Sequence, residues 1–144
     1  MGRKILAVIS ALITAWGTIL ISKIISTEGG FSAPANLEYM RRADIIAYFS
    51  SQPLPTYVGL LIGSMTGAFF AGYIVTNMSR RESPGITLTL VVAIFLIFGA
   101  GLNFYLILPG QPAWLVASTL IMFVPMTMLG RAFANISLGV RGHA

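Results

Sequence analysis

The stretch that decides the fold is PLPTYVGLLIGSMTGAFFAGYIVTNMSRR, residues 53–81. No charged side chain occurs between Leu54 and Ser79. A run of this length exceeds the roughly 20 apolar residues with which an α-helix crosses about 30 Å of hydrocarbon. The stretch therefore predicts a membrane-spanning helix over residues 54–79, and we expect the rest of the chain to pack around it.

Small residues recur at every fourth position of this helix, at Gly59, Gly63, Gly67 and Ala71. This spacing places them on one helix face, where a neighbouring backbone can approach closely and gain dispersion contacts. We interpret the face as a helix-packing surface, with Leu60 directed toward lipid. The alternative interpretation is that the glycines line a permeation path.

The composition places the chain in a membrane. Its 144 residues have the length of one domain, residues 1–144, but 56% are hydrophobic and only 9% are charged, which is not typical of soluble proteins. The net charge of +5 comes from basic residues that flank apolar runs, as membrane topology requires, so we expect the lipid bilayer as a partner and no nucleic acid. The chain has no cysteine, which excludes disulfides and thiolate metal sites.

The first span is predicted over residues 5–25. Arg3 and Lys4 precede an uncharged run of 18 residues from Ile5 to Ser22. A cleavable signal peptide has a hydrophobic core of about 7–15 residues, so we expect this helix to be retained.

Two more spans follow from one charge-free stretch of 48 residues, from Ser83 to Gly130. As a single helix this stretch would be about 72 Å long, so it must fold back, and Pro109-Gly110-Gln111-Pro112 is the obvious break. The sequence predicts spans over residues 86–108 and 112–134, with a kink at Pro125.

The only extended polar region is the segment 26–53, between the first two spans. Asn36 can cap a short amphipathic helix over residues 37–50, which we expect to lie on the membrane surface or to cap the bundle. One side of this helix carries Tyr39, Met40, Ala43, Ile46 and Ala47. Ligand binding by the segment is the alternative.

Lysine and arginine counts predict the orientation. Six such residues would lie on the side of the N-terminus, namely Arg3, Lys4, Arg80, Arg81, Arg131 and Arg141. Three would lie on the other side, namely Lys23, Arg41 and Arg42. The positive-inside rule then predicts that both termini are cytoplasmic and that segment 26–53 is extracytoplasmic.

The order of these features resembles a family of small four-helix bacterial integral membrane proteins without an assigned activity. The resemblance rests on Pro53-Leu54, the glycine-rich second helix ending in Arg80-Arg81, and Asn103 shortly before the run Pro109–Trp114. It implies an all-α bundle of four transmembrane helices in a bacterial inner membrane. Members of that family often place histidine between the two prolines, where this chain has Gly110-Gln111, so the resemblance implies no titrating group there.

Chemistry within the predicted spans is sparse, since they contain no acid and the single histidine is the penultimate residue, His143. Catalysis and coupling to protons through an embedded carboxylate are therefore not expected. Gly99-Ala100-Gly101 lacks the strand, turn and helix of a nucleotide site. Met122 and Met126 have the spacing of a copper pathway, and thioethers suit Cu(I), but methionine in apolar helices usually fills space. We expect no enzyme activity, no cofactor and no metal.

One polar cluster is predicted from depth along the helices. At about 1.5 Å per residue, Asn103 lies about 8 Å from the outer end of its span, Trp16 about 10 Å and Ser118 about 9 Å. An amide exposed to hydrocarbon is costly, so Asn103 should point inward and bond to the Trp16 indole N–H or the Ser118 hydroxyl. The alternative is that this cluster is a substrate site.

We therefore expect a small non-enzymatic multi-pass protein, structural or accessory, that acts through helix packing as a homo-oligomer or with a membrane-protein partner. The alternative is a small channel or transporter for an ion or a small solute. Pores can use hydroxyl and amide groups, and Ser64, Thr66, Asn103 and Thr119 are available.

Overall fold

The computed structural model describes residues 2–28, 41–79, 86–107 and 110–141, and within these ranges it contains helices and no strands. The helices are α1 (Gly2–Glu28), α2 (Arg42–Ser50), α3 (Leu54–Ser79), α4 (Ile86–Leu102) and α5 (Ala113–Arg141). A π-helical segment, Asn103–Ile107, continues α4. The predicted all-α class is confirmed.

Four of these helices are long and apolar enough to cross a membrane, over Gly2–Ser22, Leu54–Ser79, Ile86–Leu106 and Ala113–Ser137. α3 has the bounds expected from its charge-free run, because Pro53 precedes it and the arginine pair follows it. α1 and α5 are longer than expected, since helical hydrogen bonding continues into their polar flanks.

α3 is the central helix, as the sequence predicts. It packs along α1 on one side and along α5 on the other, and these two interfaces are the most extensive in the bundle. α4 packs on α5 and α3 and makes its smallest interface with α1. The chain thus folds as a bundle in which α3 separates α1 from α5.

The interface between α1 and α3 is built from small residues. Ala7, Ala11 and Ala15 of α1 are fully buried, as are Ala68 and Ala71 of α3. On the same side of α3, a side chain added at Gly63 would overlap Ser22, and one added at Gly67 would lie 2.9 Å from the carbonyl oxygen of Ala15. These pairs run in opposite directions along the two helices, so α1 and α3 are antiparallel.

The interface between α3 and α5 is tighter still. The two helices are parallel, because Tyr57 contacts Trp114 near the start of both and Phe69 contacts Phe133 farther along both. A side chain at Gly72 would overlap the carbonyl oxygen of Thr127, and one at Gly130 would overlap the carbonyl oxygen of Phe69. Only glycine allows the two backbones to come this close. The four-residue series in α3 missed this contact, because Gly72 lies about 100° around the helix from Ala71.

α2 lies at one end of the bundle, which we call the α2 end; the opposite end, with the start of α1, is the far end. The buried hydroxyl of Tyr57 donates to the carbonyl of Phe49. Gly110 has a φ of +94°, a conformation that glycine adopts readily, and an added Cβ there would lie 2.7 Å from the carbonyl oxygen of Ile46. α2 is therefore fixed to the bundle at two points.

A third contact joins α2 to the π segment. The Arg42 guanidinium donates to the carbonyl of Tyr105 at 3.4 Å and lies 5.6 Å from the centre of its ring.

The side of α2 that is covered differs from the apolar side expected from the sequence. Of the expected residues, Ala43, Ile46 and Ala47 are exposed, and the half-buried residues are instead Ile45, Tyr48 and Phe49. Phe49, on this half-buried side, also accepts the hydrogen bond from the Tyr57 hydroxyl. The remaining expected residues of that side, Tyr39 and Met40, lie outside the described residues.

Candidate functional site: a polar cavity between the four long helices

A cavity of about 60 Å³ lies where the four long helices meet. Its walls come from every one of them and are mostly apolar. The lining residues are Trp16, Ile19 and Leu20 of α1, Leu60 and Ser64 of α3, Leu96 and Ala100 of α4, Asn103 and Phe104 of the π segment, and Thr119 and Phe123 of α5. Leu60 thus faces this cavity and not only lipid, which corrects the expectation from the sequence.

The structure brings together two members of the cluster predicted from depth. Trp16 and Asn103 both line the cavity, but the α5 residue that lines it is Thr119, the neighbour of Ser118. The α3 residue that lines the cavity at this level is Ser64, which follows Gly63 in the chain. Counting residues along a helix gives depth, but neighbouring side chains point about 100° apart, so depth alone could not choose between them.

Two oxygens in this cavity have no hydrogen-bond partner among the described residues, namely Asn103 Oδ1 and Thr119 Oγ1. Thr119 is only 2% exposed. The expected bond from the Trp16 indole or the Ser118 hydroxyl to the Asn103 oxygen is not formed. An unpaired buried polar group costs about 1–3 kcal/mol, so these oxygens need an explanation.

The Thr119 hydroxyl differs from other hydroxyls on these helices. Ser64 donates to the carbonyl of Leu60 at 2.8 Å, and Thr127 donates to the carbonyl of Phe123. Such bonds to the preceding turn are the ordinary solution for a hydroxyl in an apolar helix. Since Thr119 makes no such bond, its hydroxyl keeps both its donor and its acceptor capacity for whatever occupies the cavity.

The π segment positions the amide. Asn103 is its first residue, and both Asn103 and Phe104 line the cavity. A π turn inserts one extra residue per turn, which rotates the following side chains relative to an α-helix, and such turns are frequent at functional sites. The sequence around Asn103 gives no recognised signal for this turn.

The described residues that line the cavity include no charged side chain. Within the same part of the chain, no group of three His, Cys, Asp or Glu residues is placed to hold a metal ion. The arrangement can therefore supply neutral hydrogen bonds and aromatic faces. It offers no general acid or base to a substrate in the cavity.

Two more buried oxygens without a partner in the described chain lie between the cavity and α2. Thr56 Oγ1 belongs to the first turn of α3, and Gln111 Oε1 belongs to the turn before α5. In the far half of the described bundle, by contrast, Thr76 and Thr127 donate to carbonyls of their own helices. The unpaired polar atoms named here thus lie in the half of the bundle nearer α2.

The other residues singled out from the sequence take these positions. Gly63, Gly67 and Ala71 are buried and Gly59 is half-buried. Arg3 is exposed, while Lys4 and Arg131 are partly covered, and all three lie in the far half. Arg80 and Arg81 lie outside the described residues.

No protein-family model, curated protein or solved structure matches this chain. The conclusion that its own geometry supports is an all-helical protein whose four long apolar helices suit a multi-pass membrane arrangement.

Proposed function

We propose that this chain is a non-enzymatic structural or accessory protein of a bacterial inner membrane, with both termini cytoplasmic. It works through helix packing, either with a second copy or with another membrane protein. The four apolar helices and the positions of Arg3, Lys4 and Arg131 in the far half support this topology. The resemblance to small four-helix bacterial membrane proteins supports the compartment.

The observation that carries the proposal is the uncovered face of α1. In its apolar window 17% of residues are buried, the smallest share among the four long helices. Large side chains follow one another on the outer face at intervals of three and four residues, at Leu6, Ile9, Ile13 and Leu20. Gly17 falls in this row with no atom within 4 Å of an added Cβ. A row of large side chains with a gap at a glycine is a surface on which a neighbouring transmembrane helix can pack closely.

Photo-crosslinking in cells tests this role. A benzophenone amino acid at Ile13, which is 66% exposed on α1, should give an adduct with one protein, either a second copy or a distinct partner. The matched control is Ile94 on α4, which is 62% exposed and should give lipid adducts only. Gly17→Leu should abolish the Ile13 adduct, because the leucine side chain fills the gap at position 17. Lipid adducts alone at Ile13 would refute the proposal.

A second candidate function is a small channel or transporter, and the polar cavity favours it. Because the described lining residues carry no charge, a small neutral solute suits the cavity better than an ion. Osmotic swelling and ion flux in proteoliposomes separate the candidates. Flux above that of protein-free liposomes would favour transport, and its absence would favour the accessory role.

A further inference from the structure

We infer that the cavity is a binding site for small uncharged molecules that carry an O–H or N–H donor, water being the smallest, and that it is reached from the α2 end. The inference goes beyond the accessory role and does not depend on a protein partner. It rests on the unpaired oxygens of Asn103 and Thr119 and on the unpaired oxygens of Thr56 and Gln111, which lie nearer α2.

The size of the cavity suits this class of ligand. One water needs about 10–15 Å³ of such space and two to four polar partners. The cavity of about 60 Å³ therefore has room for a few waters or one small solute. Asn103 Oδ1 and Thr119 Oγ1 provide two free acceptors, and Thr119 also provides a donor.

The residues that line the cavity determine which kind of molecule it can bind. Two acceptors without a partner require donors on the ligand, and a wall without charges gives no compensation for the desolvation of an ion. Other lining residues, Leu96, Phe104 and Phe123, are apolar or aromatic. A small alcohol or primary amide, polar on one side and apolar on the other, satisfies both kinds of wall.

The direction of access follows from the two halves of the bundle. Gln111 Oε1 and Thr56 Oγ1 lie at the α2 end, and buried oxygens of this kind are commonly satisfied by water. Thr119 is six residues after the start of α5, so the site lies about 9 Å from that end. On the far side, α3 and α5 are in backbone contact at Gly72 and Gly130. This contact closes the space between α3 and α5 on the far side, so we place the entry at the α2 end.

Fluorescence of Trp16 tests binding, since this indole lines the cavity. The chain has two tryptophans, so Trp114→Phe leaves Trp16 as the only one. In phosphatidylcholine vesicles, acrylamide, a small neutral primary amide, should quench Trp16, and iodide, a charged quencher, should quench it much less. The two quenchers thus separate a neutral site from an open aqueous surface.

Variants on this background connect the quenching to the site. Thr119→Val keeps the shape and removes the hydroxyl, and it should lower the acrylamide quenching constant about two- to tenfold, as the loss of one hydrogen bond predicts. Thr119→Ser should retain quenching. Ser118→Ala, which removes a hydroxyl outside the lining, is the matched control and should have no effect. Equal quenching in Thr119→Val and Ser118→Ala would overturn the inference, as would equal quenching by iodide and acrylamide.

Single cysteines test the direction of access, because the chain has none of its own. Methyl methanethiosulfonate, a small neutral reagent, reacts with thiolates, which form only where water reaches. Ser64→Cys at the cavity should react fast, and Val75→Cys, at a fully buried position in the far half, should react slowly. Similar rates at both positions would refute access from one end.

Discussion

The tightest backbone contact in the bundle gives the sharpest test of the fold, and the substitution is Gly72→Ala. An ideal Cβ at this position would lie 2.8 Å from the carbonyl carbon of Thr127 and 2.9 Å from its Cα, and closer still to its carbonyl oxygen. Non-bonded carbon atoms prefer about 3.5–4.0 Å. Because the obstructing atoms are backbone and cannot rotate away, α3 and α5 must separate by roughly 1 Å, a gap that forfeits much of the dispersion energy across the contact.

The expected magnitude combines two opposing effects. Overfilling a packed interface costs about 1–3 kcal/mol, and alanine in a helix interior is favoured over glycine by about 0.5–1 kcal/mol. We therefore expect Gly72→Ala to lower the free energy of unfolding by about 0–2.5 kcal/mol. The matched control is Gly101→Ala on α4, where an added Cβ has no atom within 4 Å. That variant should be unchanged or more stable by up to about 1 kcal/mol.

The assay is reversible unfolding in mixed micelles, followed by circular dichroism as the fraction of denaturing detergent rises. The helix-propensity gain is common to both variants, so the difference between their unfolding free energies measures the clash alone. That difference should be about 1–3 kcal/mol. If Gly72→Ala is as stable as Gly101→Ala, then α3 and α5 do not pack through Gly72 and the described interface is wrong.

Three further predictions concern the other face of α3, the amide and the topology. Gly63→Leu should lower thermal stability in detergent, because its side chain would overlap Ser22 of α1, whereas Ile62→Leu, at a position 57% exposed, should be nearly silent; equal melting temperatures would place the glycine face outside the packed interface. Asn103→Leu should change the unfolding free energy by less than about 1 kcal/mol, because Oδ1 has no partner among the described residues, and a loss above about 1 kcal/mol would instead indicate the interhelical bond expected from sequence. At residues 83 and 144, a fused reporter that works only in the cytoplasm should be active, and one that works only in the periplasm should be inactive. Activity of the periplasmic reporter at either position would reverse the proposed orientation.

The sequence was sufficient to predict the helices, because charges, prolines and length act locally. The charge-free run of α3 predicted Leu54 and Ser79 as its ends, and these are the ends observed. The predicted break between α4 and α5 is also observed, since the π segment ends at Ile107 and α5 begins at Ala113. The π segment was not predictable in this way, because no proline, glycine or charge marks residues 103–107.

The sequence predicted how deep the cavity lies along the helices, but not which neighbouring side chains point into it. Counting residues placed Trp16 and Asn103 at one level, and the structure has both of them in the lining. The choice of Thr119 over Ser118 depends on how far α5 is rotated about its axis. That rotation brings Gly130 against the backbone of Phe69, and a single glycine in α5 gives no sign in the sequence of which helix it meets.

The difference between the two halves of the bundle bears on why the cavity is hydrated. Each buried oxygen without a partner costs about 1–3 kcal/mol, and the total stability of a folded domain is about 5–15 kcal/mol. Four such oxygens at Thr56, Asn103, Gln111 and Thr119 would consume a large share of that total, so they are compatible with a stable fold only if water or a small solute satisfies them. Hydration from both ends would require similar atoms in the far half, and there the hydroxyl of Thr127 is bonded within its own helix. In the half nearer α2, polar side chains of several helices thus have unpaired oxygens that can bind water or a ligand. In the far half, α3 and α5 are in direct backbone contact.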